Sequence, residues 1–228
     1  MNKLSVVRTA IVSCERCPRL RKYCEDVARV KKRAFRDEVY WGKPVPGFGD
    51  PRARILLVAL APAAHGANRT GRAFTGDGPS GSGDFLMAAL HRAGFANLTT
   101  SQRSDDGLVL RDAYITSAAR CAPPGNKPTS EELANCLSHL TAEVNALPRI
   151  QVVIGLGKIA FEAYLQFLKS NGTVVRPRPD FAHGLAHTLP DGITLFGCYH
   201  PSRQNTNTGK LTPRMLDTVF TSARQVLR

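Results

Sequence analysis

The sequence predicts an α/β fold: a parallel sheet covered on both faces by helices. Three observations lead there. Continuous apolar runs of strand length recur along the chain, stretches of helical length lie between them, and the two alternate in order. The first strand is expected over residues 54–60, an Arg-Ile-Leu-Leu-Val-Ala-Leu run bounded by Pro51 and Pro62. A second is expected over 112–117, a third over 151–155 and a fourth over 193–199. Helices are expected over 83–93, 130–146, 158–170 and 213–227. The second of these opens on Thr129-Ser-Glu-Glu132, a capping box in which Thr129 and Glu132 satisfy each other's orphan amides. A further helical stretch, roughly 5–24, precedes the first strand. Right-handed crossovers turn this order into a parallel sheet. Without repeats or low-complexity linkers, the chain reads as one domain over residues 1–228.

At 228 residues one buried core is attainable without disulfides. The 31 Lys and Arg against 18 Asp and Glu leave a formal charge of +13. Nucleic acid is the partner class this most readily suggests, although membrane surfaces and acidic proteins attract the same charge. Ile11-Val12 gives way at once to Ser13-Cys14-Glu15-Arg16, which does not read as a signal peptide. The longest apolar runs are too short to span a bilayer. A cytoplasmic protein with no membrane association is expected. In that reducing compartment six cysteines argue for metal ligation or buried thiols before disulfides.

The unusual residues collect in the loops after the strands, over residues 61–82, 118–128 and 200–212. In open parallel sheets ligands bind beyond the carboxyl ends of the strands, so the three loops should meet at one edge. Gly76-Asp-Gly-Pro-Ser-Gly81 spells G-x-G-x-x-G, but it begins sixteen residues after the strand and contains Pro, so a dinucleotide site is rejected. Those glycines are expected to let the helix start approach a DNA phosphate.

Cys14-Glu-Arg-Cys17 is a C-x2-C pair, Cys121 lies in the second loop and Cys136 in the helix after it. Four cysteines suit a tetrahedral zinc or a 4Fe–4S cluster, and spacing does not choose. Cys121 and Cys136 are also readable as ordinary buried thiols. Cys24 is close enough to compete as a ligand, and Cys198 reads as core packing.

Two loop motifs narrow the reading. The first runs Leu60-Ala-Pro-Ala-Ala-His-Gly-Ala-Asn-Arg-Thr-Gly-Arg-Ala-Phe-Thr-Gly-Asp77, and the last Tyr199-His-Pro-Ser-Arg-Gln-Asn205. They resemble the first and last active-site motifs of the B-type (family 5) branch of the uracil-DNA glycosylase superfamily. Arg120-Cys-Ala-Pro-Pro-Gly-Asn-Lys-Pro128 resembles a middle segment shared with the A-type (family 4) branch. The resemblance covers roughly residues 10–225. One departure is Ala59, where the family usually has Gly.

The resemblance implies a three-layer α/β/α sandwich around a four-stranded parallel sheet, and cleavage of the bond between uracil and deoxyribose. It also implies a structural 4Fe–4S cluster on Cys14, Cys17, Cys121 and Cys136, carried by an N-terminal cluster-binding segment.

Glycosidic cleavage builds positive charge on the sugar and negative charge on the leaving base, so the site needs a carboxylate and a donor. Asp77 is the one carboxylate in the motif of the first loop and His200 the donor in the last. Local sequence alone reads Asp77 as a turn residue between glycines; the resemblance assigns it to the water or sugar cation. Phe74 is the stacking platform for a flipped base, or else a loop residue tucked into the core. Asn126 is expected to position water or base, or else to be a turn asparagine before Lys127-Pro128, and Asn205 is expected to touch substrate at the DNA-facing rim. Ser117 stands where A-type relatives carry a base-reading Asn. The resemblance therefore implies looser selectivity that admits hypoxanthine, and because Ala63 and Ala64 fall where other branches place a catalytic polar residue, Asp77 must carry more of the work.

Ser202, Arg203, Gln204 and Lys210 are expected on the DNA-facing rim, with Leu211 as a wedge into the stack. The basic run over residues 30–36 reads as a phosphate contact or a solvated face. The partner expected is double-stranded DNA containing deaminated bases, bound by a monomer. Two rivals stand beside this reading. An A-type enzyme is disfavoured by Ser117 and by the lack of an acidic residue over 61–64. A non-catalytic iron–sulfur DNA-binding protein has no need for Asp77, Phe74 and His200 on converging loops.

Overall fold

Four five-residue strands, every residue of them buried, form the centre of the molecule: β2 (Ile55–Ala59), β3 (Ala113–Ser117), β4 (Val152–Leu156) and β6 (Thr194–Cys198). The computed structural model describes residues 3–76, 78–79 and 81–227. All four central strands run parallel, with Leu57 opposite both Ile115 and Ile154, and Ile154 opposite Phe196. Two short antiparallel strands, β1 (Phe48–Gly49) and β5 (Ala186–Thr188), close the edges, giving the order β1-β3-β2-β4-β6-β5. The four expected parallel strands are thus all present, and the two unforeseen edge strands bring the sheet to six among the described residues. Neither edge strand carries an apolar run, so no periodic signal marks them. At two and three residues they also leave little exposed ladder for another chain to pair with.

The period of two along each strand divides the core. Ile55, Leu57, Ile115, Ile154 and Phe196 face α4 (Ser82–Arg92) and α8 (Pro213–Val226). Leu56, Val58, Tyr114, Val153 and Leu195 face the opposite layer, which includes α5 (Ser130–Asn145) and α6 (Lys158–Ser170). The layer between β4 and α6 is thin because of Gly155. A Cβ there would sit 2.7 Å from the Phe161 Cα, so only glycine lets the helix come this close.

The expected N-terminal helix is two: α1 (Lys3–Val12) and α2 (Pro18–Val30). Pro18 cannot donate to a preceding turn and suits the first position of a new helix, so the C-x2-C pair falls in the break. Two short helices complete the fold, α3 (Ala67–Thr70) and α7 (Arg203–Asn207). Among the described residues no helix is long and apolar enough to cross a membrane.

One buried carboxylate ties the layers together. Glu143 of α5 accepts from the Gly47 amide at 2.8 Å, the Thr116 hydroxyl at 2.5 Å and the Tyr114 hydroxyl at 3.4 Å. Its Oε2 lies 2.8 Å from Arg120 Nη2, and both side chains are 1% exposed. Breaking such a pair from one side strands a buried charge. Glu143→Gln is therefore expected to lower the unfolding free energy by about 3–5 kcal/mol in urea titration. An Arg120→Met/Glu143→Leu double variant should recover part of that loss. A loss below about 0.5 kcal/mol for Glu143→Gln would show that the pair is not under this constraint.

Candidate active site

The loops after β2, β3 and β6 meet over the carboxyl edge of the sheet and enclose a cavity of about 580 Å³. The first loop supplies Ala63, Ala64, His65 and Phe74, the strand end Ser117, the middle loop Asn126, and the last loop His200, Ser202, Arg203 and Gln204. Residues far apart in sequence are thus gathered as the loop reading anticipated.

His200 follows the buried end of β6. Its carbonyl accepts from the Ser202 amide and from the Asn205 side-chain amide, both at 2.8 Å. Ser202 caps α7 by accepting from the Asn205 N–H at 3.3 Å. These bonds fix the turn that aims the imidazole. The ring stacks on Phe74, with centroids 5.8 Å apart and planes at 29°. Burial pulls the His200 pKa down to about 4. Near neutral pH the ring is therefore uncharged and carries one N–H donor.

Phe74 takes a left-handed backbone conformation, φ +51°, which is uncommon for a bulky residue. Its surroundings hold it there. A Cβ on Gly83 would fall 2.2 Å from the Phe74 carbonyl, so the start of α4 packs directly on this turn. Gly83 thus serves close packing; the expected phosphate role of these glycines is untouched by that. Just before it, buried Arg72 donates to Thr75, Ser101 and the Asp106 carboxylate, the last at 2.7 Å. Arg69 donates to the His65 and Gly76 carbonyls at 3.0 and 2.8 Å, and pairs with Glu38.

The remaining expected residues divide clearly. Asp77 lies outside the described residues. Asn126 is exposed at the cavity wall in a left-handed turn, φ +58°. Asn205 commits its amide to the His200 carbonyl and so stands behind the imidazole. Arg203 donates to the Pro79 carbonyl at 3.4 Å, Gln204 is exposed, and Lys210 lies 5.2 Å from the Tyr199 ring. Leu211 is a correction: at 1% exposure it packs in the core with Leu216 and Val219, so it cannot enter a base stack. Its place beside a polar loop suggested exposure, but the turn before α8 folds it inward.

Lys32, Phe35 and His65 line the cavity without having been assigned to it, the first two being expected only as part of a phosphate-contacting or solvated run. Lys32 and Phe35 sit in the basic run and reach the cavity only because the chain after α2 folds back. The Arg69 guanidinium stacks 3.9 Å from the Phe35 ring and anchors it. His65 stood inside the first motif, where its neighbours drew the attention. The Tyr40 hydroxyl lies 3.1 Å from His65 Nδ1 and accepts from the Lys32 amide at 3.3 Å.

Cysteines of the N-terminal segment and middle loop gather behind the cavity wall, where Ala64 packs against them. Cys17, Cys24 and Cys121 pack with Leu20 and Ala122 in a small buried cluster, and Cys14 and Cys136 lie within electrostatic reach of Cys17. All six cysteines are free thiols. The Cys24 thiol donates to the Ala122 carbonyl at 3.6 Å, and Cys198 is fully buried in β6. Asn68 joins this region to the first loop by donating to the Cys24 carbonyl at 3.2 Å.

A family profile described as "Uracil DNA glycosylase superfamily" matches residues 46–224. A "Type-5 uracil-DNA glycosylase" of Mycobacterium tuberculosis is 50% identical over 219 residues, covering 95% of this chain and 80% of its own. One of Thermus thermophilus is 48% identical over 226 residues, covering 99% of each. A "Type-4 uracil-DNA glycosylase" of Thermotoga maritima is 31% identical over 159 residues, covering 69% of each.

The His200 geometry makes a pH prediction. Its folded pKa lies below the usual imidazole value near 6.5, so the fold resists protonation. The stability this contributes is complete above about pH 6.5 and is lost as pH falls from there through 4. In a ¹⁵N-histidine NMR titration, His200 should turn over near pH 4. A midpoint near 6.5 would show a solvated ring and remove the basis for a neutral donor.

Proposed function

The chain belongs to the uracil DNA glycosylase superfamily, and on that premise we propose that it releases uracil from DNA by hydrolysing the N-glycosidic bond. The observation that carries this most is the neutral His200 stacked on Phe74 in a cavity formed by three strand-end loops. Cleavage breaks the bond between C1′ and the base nitrogen. The electron pair leaves with the base, and water adds to the sugar. The imidazole N–H of His200 is suited to meet the charge developing on the base, and a neutral donor avoids the cost of burying an imidazolium. Asp77 serves the sugar cation or the water, an assignment that rests on the motif alone. Asn126 positions water or base.

The cavity admits other deaminated bases such as hypoxanthine. Supporting this are Ala63, Ala64 and Ser117, small side chains at positions where a larger polar group would narrow the space. Ser202, Arg203, Gln204, Lys210 and the basic run beside Lys32 form the face toward double-stranded DNA, which the chain binds as a monomer. The relatives' similarity favours the Type-5 reading over the Type-4 one, at 48–50% identity against 31%.

Cys14, Cys17, Cys121 and Cys136 would hold a 4Fe–4S cluster, which would pin the N-terminal segment to α5 and the middle loop. Their soft thiolates suit iron–sulfur ligation. Arg120 supports the fit: its buried guanidinium nitrogens make no aligned hydrogen bond, and its charge acts on Cys136. Among the described residues no three His, Cys, Asp or Glu side chains are grouped to hold a single ion, whereas a cluster spreads one thiolate to each iron.

Single-turnover release of uracil and hypoxanthine from duplex DNA tests the enzyme reading. Asp77→Asn should lower both rates in parallel, by roughly tenfold to a thousandfold. His200→Ala should lower them unequally, because a poorer leaving base needs the donor more. Full activity in Asp77→Asn would remove it from the mechanism and direct attention to Asn126. No release of either base by the unaltered protein would end the glycosylase reading.

Iron analysis tests the cysteines separately. About four irons per chain are expected, retained in Cys24→Ser and Cys198→Ser and lost in Cys136→Ser. Stoichiometric zinc in a colourless protein would overturn the cluster, and iron loss in Cys24→Ser would overturn the ligand set.

A further inference from the structure

We propose that His65 is a specificity-determining donor, its tautomer set by Tyr40, that recognises a carbonyl oxygen present on deaminated bases and absent from their parents. This deepens the glycosylase reading and rests on it.

Three groups form a chain from α2's end to the cavity. The Lys32 backbone N–H can only donate, and it donates to the Tyr40 hydroxyl oxygen at 3.3 Å. Tyr40 is 8% exposed, so its own O–H needs an acceptor inside the protein. His65 Nδ1, at 3.1 Å, is that acceptor. An imidazole that accepts at Nδ1 carries its proton at Nε2. The alternative, with Nδ1–H donating to tyrosine, would leave the buried phenol hydrogen unpaired, which is the costlier arrangement.

The ring is also kept neutral. Burial lowers the His65 pKa, and the positive charges of Lys32 and Arg69 lower it further. A single N–H therefore remains, on the edge away from Tyr40. His65 lines the cavity, and Nε2 has no partner among the described residues. Its Nε2–H is thus a donor without an acceptor until a ligand arrives.

Lys32 and Arg203 can only donate and neutral His200 carries one N–H, whereas the remaining polar side chains beside His65 adapt to what they meet. The hydroxyls of Ser82, Ser117 and Ser202 rotate to donate or accept, and the amides of Asn126 and Gln204 offer one of each. His65 does not adapt, because its polarity is set by the Tyr40 hydroxyl, outside the cavity lining, which the Lys32 backbone amide orients in turn. That matters for the chemistry of deamination. Cytosine and adenine carry an exocyclic amine, a donor, where uracil and hypoxanthine carry a carbonyl, an acceptor. A fixed donor pairs with the second and confronts the first. One residue can then admit a deaminated pyrimidine and a deaminated purine while rejecting both parents.

The test separates recognition from chemistry. Binding is measured to duplexes carrying 2′-fluoro-deoxyuridine or 2′-fluoro-deoxycytidine, whose glycosidic bonds resist cleavage. The unaltered protein should prefer the uracil duplex, and His65→Phe should shrink that preference roughly tenfold to a hundredfold. The same variant should retain its melting temperature within a few degrees. An undiminished preference would overturn the proposal. If the unaltered protein releases no uracil, the failure belongs to the glycosylase reading instead. A second measurement stands even if His65→Phe does not fold. In ¹⁵N-histidine NMR, His65 should be the Nε2–H tautomer, and Tyr40→Phe should shift it toward a mixture. A predominant Nδ1–H form in the unaltered protein would overturn the proposal outright.

Discussion

The structure is organised around a carboxylate that has nowhere else to find solvation. Glu143 is 1% exposed, and its charge is met by the Gly47 amide, two hydroxyls on β3 and the Arg120 guanidinium. In a low-dielectric interior such a group is tolerable only when all of these arrive together. The four partners come from the approach to β1, from β3 itself and from the turn that follows it. One requirement thereby sets the pairing of the sheet edge, the seating of α5 and the path of the middle loop. Arg120 precedes Cys121, and α5 carries Cys136, so the cysteine region and the cavity share this root.

From there the order spreads through polar links as well as packing. Arg21 of α2 donates to the Gly42 carbonyl, and Asn68 of α3 reaches the Cys24 carbonyl. The Trp41 and Gly42 amides donate to the Arg69 and Asn68 carbonyls. The first loop is consequently held from both sides, by α2 beneath it and by the Arg72–Asp106 pair above. That bracing lets Phe74 keep a backbone conformation that an unsupported loop would relax.

The central strands were legible because each is a continuous apolar run, and α5 because its capping box is explicit: both of its hydrogen bonds are present. The edge strands were not, since Phe48-Gly49 and Ala186–Thr188 owe their conformation to the neighbours they pair with. Pro18 marked the break between α1 and α2 but was outweighed by helical character on both sides. At the site, the motif loops pointed to His200 and Phe74, whose contact is visible only in three dimensions. Leu211 was misplaced because burial in a turn depends on packing that local sequence does not record. His65 lacked a role for the same reason: its meaning depends on Tyr40, twenty-five positions earlier.

The cavity has two walls of different descent. Lys32, Phe35, His65 and Phe74 come from the first third of the chain, and His200, Ser202 and Gln204 from its last thirty residues. Among the described residues Ser82, Ser117 and Asn126 stand between them. Changes to one wall need not disturb the backbone bonds that hold the other, because the Ser202–Asn205 turn is closed on itself. Selection can therefore reshape what enters the cavity through the early segment while leaving the late turn alone. A lineage of such proteins could vary the early wall at Lys32, Phe35 and His65 without unmaking the turn that holds His200.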